Sequence, residues 1–170
     1  MSTRSNIIVQ RKDGKWSRIY CHWDGYPEHH GPILLGHYNS LQLASLLVKA
    51  GDLSILAERC DKPAGHSFDS PKAGHCVYYG RDRGEEGTEK QVFENLNAAW
   101  PGGDTGAEFV YVWQDGQWWV GDADQGSQSL KPLAEVMTGK TEAPQPAIKA
   151  FGGNFVVGLR KKGRGGGGAV

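Results

Sequence analysis

Long apolar runs are missing from this 170-residue chain. No stretch approaches the roughly 20 residues a membrane-spanning helix needs, so no membrane association is expected. Cysteine is scarce. Cys21, Cys60 and Cys76 form an odd set at irregular spacing, which argues against a disulfide framework and predicts a reducing cytoplasm. The opening residues, Met1-Ser2-Thr3-Arg4-Ser5-Asn6, hold no apolar core of signal-peptide length, so export is not expected. Catalytic signatures are missing too: there is no nucleophile elbow, no glycine-rich phosphate loop ending in Lys-Ser/Thr, and no zincin His-Glu-x-x-His motif. Acid is absent from residues 149–170, where Lys149, Arg160, Lys161, Lys162 and Arg164 stand unopposed. The formal net charge of zero therefore splits into an acidic body and a basic end. A body of that sign is a poor reader of phosphate backbones, and no specific nucleic-acid partner is expected.

What is abundant is concentrated. Between Tyr20 and Ser40 lie four of the six histidines (His22, His29, His30 and His37) with Cys21, Trp23, Asp24, Tyr26, Glu28 and Tyr38. Connections are usually about 4–6 residues of polar turn formers, so a segment this long and dense reads as a functional loop. A second, shorter segment, Tyr78-Tyr79-Gly80-Arg81-Asp82-Arg83-Gly84, sets two guanidinium groups beside aromatic rings.

The rest reads as scaffold. Asp13-Gly14 and Asp115-Gly116 each sit between strand-like arms and predict hairpins. Ser40 or Asn39 caps a helix whose apolar face is Leu43, Leu46, Leu47 and Ala50, with Gly51 just past its end. Leu53 to Leu56 reads as a short turn, and His75 to Tyr79 as a strand. Thr88 opens a second helix with Val92, Phe93, Leu96, Ala99 and Trp100 on its face. A third, marked by Leu130, Leu133, Val136 and Met137, has Pro132 in its first turn. Trp113, Trp118 and Trp119 fit core positions better than an exposed platform. The expected order is β-β-α-β-α-β-β-α: an α+β fold whose antiparallel sheet is built from two hairpins plus an isolated strand, with helices packed mainly on one face. Residues 1–142 are expected to form a single domain. Residues 143–159 read as a linker with a possible edge strand, and 160–170 as a disordered basic, glycine-rich tail.

Three chemistries compete for the dense loop. Cys21, His22, His37 and Asp82 are a candidate set for zinc or another divalent metal, although the spacing departs from paired Cys and His units, and no cofactor is predicted. His22 and Asp24, with His29 or His30 opposite, form a candidate acid/base set for phosphodiester hydrolysis near neutral pH. Ligand capture is the reading the combination favours. Tyr20, Trp23, Tyr26, Tyr38 and Tyr79 supply stacking faces, and Arg81 and Arg83 supply forks for an anion, which together suit a phosphate-bearing small ligand such as a nucleotide signal.

Tyr20-Cys21-His22-Trp23-Asp24-Gly25-Tyr26-Pro27, continued by Gly31-Pro32-Ile33-Leu34-Leu35 and His37-Tyr38-Asn39, resembles a family of small uncharacterised bacteriophage and prophage proteins. The likeness extends through Gly51-Asp52-Leu53-Ser54, Tyr79–Gly84 and the Tyr111–Gly121 hairpin, roughly residues 5–135. The resemblance implies a setting, an accessory protein in the host cell cytoplasm. It carries no activity residue by residue. In that setting the partner is a small anionic ligand or a host protein, and a module that inhibits a host enzyme is the further alternative.

Overall fold

Alternation of side chains decides where each strand of this chain faces. In the computed structural model, which describes residues 2–103 and 105–141, the elements are β1 (Ser5–Gln10), β2 (Trp16–Cys21), α1 (Pro27–His37), α2 (Leu41–Lys49), β3 (Leu53–Ile55), β4 (Val77–Tyr78) and α3 (Tyr79–Arg83). They continue as β5 (Gln91–Phe93), α4 (Leu96–Ala99), β6 (Phe109–Gln114), β7 (Gln117–Asp122), β8 (Lys131–Pro132) and α5 (Leu133–Thr141). Two compact units divide the chain, residues 1–134 and 135–170. The sheet belongs to the first. The expected linker, edge strand and tail lie outside the described residues.

The fold is α+β, and among the described residues eight strands join one sheet in the order β4-β3-β2-β1-β6-β7-β8, with β5 also on β2. Both expected hairpins are present, β1 with β2 and β6 with β7. Positive φ at Gly14 (87°), Asp115 (53°) and Gly116 (75°) gives their turns the left-handed backbone that tight connections require. The sheet is mixed rather than antiparallel: β1 runs parallel to β6, and β2 parallel to β3. The first arms of the two hairpins lie side by side, and the long excursion between them returns the chain to the end of the sheet where it began.

One face of the sheet carries Ile7, Ile19, Cys21, Tyr111 and Trp118, all buried, beneath the longer helices α1 and α2. The tie is polar as well as apolar. Trp118 donates to the Tyr38 carbonyl (3.0 Å), Tyr78 to that of Leu47 (2.6 Å) and Tyr111 to that of Gly25 (2.6 Å). The opposite face gathers Ile8, Trp16, Val110 and Val112 around Ala99 of the short α4. Trp113 and Trp118 are core residues, as alternation implied.

Four local expectations need correction. The dense segment is largely helix: Pro27 starts α1, where its missing N–H costs nothing, and Pro32 sits inside it on an exposed position. Ser40 caps α2 as expected, accepting from Leu43 N–H (3.1 Å), but the buried face is Ala44, Leu47 and Val48, leaving Leu43 and Leu46 exposed. Leu53–Ile55, read as a turn, is strand β3, because its backbone completes the β2 edge. The helix expected from Thr88 divides. Gln91–Phe93 pairs with Trp16–Arg18, and Asn95 caps a new turn of helix by accepting from Ala98 N–H (2.8 Å).

Candidate functional site

Asp52 is the residue that brings the two chemically rich segments together. Its carboxylate Oδ1 accepts the Tyr20 N–H (2.9 Å), and its carbonyl accepts the Tyr79 N–H (3.1 Å). Gly51, at φ 91°, allows the approach: a Cβ there would meet the Thr88 carbonyl oxygen, and Thr88 O in turn accepts the Asp52 N–H (2.8 Å). Burial pushes the Asp52 carboxyl up, only partly offset by the Tyr20 N–H.

Two aromatic stacks flank this tie. On the β2 side, the Tyr20 hydroxyl is 2.7 Å from His22 Nδ1, and the His22 ring meets Trp23 edge-on at 4.7 Å. Burial raises the Tyr20 phenol, and its hydroxyl takes up Nδ1 of His22, which leaves Nε2 as the second ring nitrogen. Burial and the nearby Arg4 charge both lower the His22 pKa. On the α3 side, Tyr79 and Phe68 lie 5.5 Å apart, and the Arg83 guanidinium covers Phe68 at 4.2 Å and Tyr79 at 5.2 Å. Trp23 and Tyr26 are exposed, Tyr20, His22 and Tyr79 half-buried.

Arg81 is placed differently from Arg83. It donates twice to Asp82 (2.9 and 3.0 Å), to the Cys60 carbonyl (2.7 Å) and to the Cys76 carbonyl (3.2 Å), and stacks on Tyr78 at 4.6 Å. Asp82 also accepts the Tyr78 N–H (2.8 Å) and His66 Nε2–H (3.2 Å), while His66 Nδ1 accepts from Lys72 N–H (3.0 Å). Burial alone would push the Asp82 carboxyl up, but the bonds from Arg81 and Tyr78 outweigh it and hold it below the usual range. These three side chains fasten the 57–76 loop to α3. Arg83 pairs with Glu85 at 2.7 Å.

The remaining expected residues are scattered. Tyr38 is buried, its hydroxyl donating to the Ala57 carbonyl (2.7 Å) beside Cys76. Asp24 is exposed, with Tyr26 donating to it at 3.4 Å, and His22 turns to Tyr20 instead. His29 bonds His30 (3.0 Å), and His30 is buried against Ser5 (3.1 Å) and Tyr111, with burial lowering its pKa to about 3. His37 is exposed at the end of α1. Among the described residues no group of three or more His, Cys, Asp or Glu converges to hold a metal, the Cys21, His22, His37 and Asp82 set included.

A cleft of about 680 Å³ opens between the end of α2 and the turn after α3, lined in part by Leu46, Lys49, Cys60, Arg81, Glu85 and Glu89. Acids outnumber bases around it, a field that repels anions. The residues that sequence reasoning missed are Arg4 and Asp52. The Asp52 signal was its position directly after a helix-ending glycine; Arg4 had no sequence signal beyond its charge. No family model, curated protein or solved structure matches the chain.

Proposed function

We propose that this protein is a binding protein that captures a small, phosphate-bearing aromatic ligand, of the nucleotide-signal class, on the wall formed by Tyr20, His22, Trp23 and Tyr79. The observation that carries this reading is the double hydrogen bonding of Asp52 to the Tyr20 and Tyr79 main chain, which ties the two aromatic segments to one residue. Stacking between a base and an aromatic side chain is worth about 1–3 kcal/mol and tolerates different bases. In the setting that the resemblance implies, a host cytoplasm, nucleotide signals are ligands of this chemistry. Capture is favoured over hydrolysis because His22 is bonded to Tyr20 and His29 to His30, so the expected His22–Asp24 set is not the one that forms.

Isothermal calorimetry with a panel of cyclic, mono- and dinucleotides tests the reading. Saturable heat from at least one member, lost in Trp23→Ala, is expected; a folded sample silent to the whole panel refutes it. The exposure of Trp23 (43%) and Tyr26 (38%) favours one second reading, contact with a host protein. Under that reading a single stoichiometric partner copurifies and no nucleotide gives heat.

A further inference from the structure

We propose that Arg4 and His22 form the anion-holding end of this wall, taking the phosphate of a ligand whose ring stacks beside it. The assignment rests on the capture reading and moves the phosphate contact away from Arg81 and Arg83.

The strand register supplies the geometry. Ser5 lies opposite Cys21 in the antiparallel β1–β2 pair. The ladder ends there, and alternation along each arm puts Arg4 on the same face as Tyr20 and His22, both of which feel its charge. The backbone on both sides of Arg4 is fixed: Glu108 N–H donates to the Arg4 carbonyl (2.9 Å), and Gly25 N–H to that of Thr3 (2.8 Å). The guanidinium lies against Gly106, where an added Cβ would come within 2.7 Å of Arg4 Nη1. Its Nε is buried without a hydrogen-bond partner among the described residues, and none of the ion pairs among them includes Arg4. Arg81, by contrast, is committed to Asp82 and two carbonyls, and Arg83 to Glu85.

The chemistry of the pair suits a phosphate monoester. Arg4 offers a charged fork, and His22, with Nδ1 taken up by Tyr20, has Nε2 left to donate to the phosphate as imidazolium. Trp23, edge-on to His22 and exposed, stands where the ring attached to the phosphate would lie. The titratable and charged groups around the His22 ring are Arg4 and Tyr20, with Asp52 and Tyr79 behind Tyr20.

Calorimetry with adenosine monophosphate and with adenosine tests the assignment on the full chain. Adenosine monophosphate is expected to bind about tenfold or more tightly, as charge-assisted bonds require. That advantage should vanish in Arg4→Gln and in His22→Phe, and persist in Arg11→Gln at the far end of the hairpin. As an independent readout, nuclear magnetic resonance of wild-type protein should show the His22 pKa rising on saturation with inorganic phosphate. Undiminished nucleotide binding in folded Arg4→Gln, or an unmoved His22, overturns the assignment while leaving capture intact. If Arg4→Gln does not fold, His22→Phe and the phosphate titration decide. Silence of the wild-type protein toward adenosine monophosphate and inorganic phosphate overturns the assignment; silence toward the whole nucleotide panel sinks capture as well.

Discussion

Burial sets what each thiol can do. Cys21 lies wholly inside, and burial pushes its pKa up to about 12; Cys76, pushed up to about 11, accepts the Ala57 N–H at 3.2 Å beside the Tyr38 hydroxyl. Cys60 is also raised by burial but lines the cleft and is half-exposed. Since the thiolate is the reacting species, iodoacetamide at mild alkaline pH should label Cys60 first, with Cys21 and Cys76 reacting only after denaturation. Peptide mapping over a time course checks this; labelling of Cys21 at the Cys60 rate would contradict its enclosure. Cys21 is thereby a poor nucleophile, despite its place in the densest stretch of the sequence.

At the scale of elements, α1 carries a pH dependence. His30 is buried with its pKa lowered to about 3 from the ordinary 6.5, first by burial and then by the charge of His29. The unfolded chain binds that proton below about 6.5 while the folded chain does not, so stability is intact above 6.5 and lost as pH falls toward 3. The loss is on the order of a few kcal/mol across that window. Urea melts at pH 7 and pH 4.5 should show it, and His30→Gln should flatten the difference; an equally steep slope in that variant would assign it elsewhere. The same helix shows what the sequence did and did not reveal. Both hairpins were legible because Asp-Gly turns and alternation are local signals. The segment Pro27–His37 was not, because its two prolines and two glycines speak against helix and its buried residues, Pro27, His30, Gly31, Ile33 and Leu34, do not repeat as a regular apolar stripe. Packing against Tyr111 overrides that local preference. Likewise Gln91–Phe93 has helical periodicity, but pairing with β2 wins, aided by Arg18 donating to Gln91 (2.9 Å) and stacking on Phe93 at 4.8 Å.

At the scale of the molecule, the candidate site is an assembly from distant chain segments. Tyr20 and Tyr79 were both named by sequence reasoning, yet their link through Asp52 depends on a strand read as a turn. Arg81, which carried the expected phosphate contact, is turned inward because Asp82 is buried and needs its charge. Asp52→Ala should cost about 1–3 kcal/mol, since it leaves the Tyr20 N–H without its acceptor, and should weaken ligand capture as well. Asp52→Asn, which keeps an oxygen at that position, should retain most of both. Chemical denaturation of the two variants separates them; equal losses would show that charge, not the bond, matters.

The parallel seam between β1 and β6 also governs the order of assembly during synthesis. Ser5 is partnered by Phe109, so an early strand at the centre of the sheet waits for a segment made about a hundred residues later. Until Phe109–Gln114 emerges from the ribosome, the Ile7-Ile8-Val9 strand presents an unpaired apolar edge to its surroundings. The nascent hairpin is therefore the segment most exposed to chaperone capture and intermolecular pairing, and the arrival of β6 ends that vulnerability.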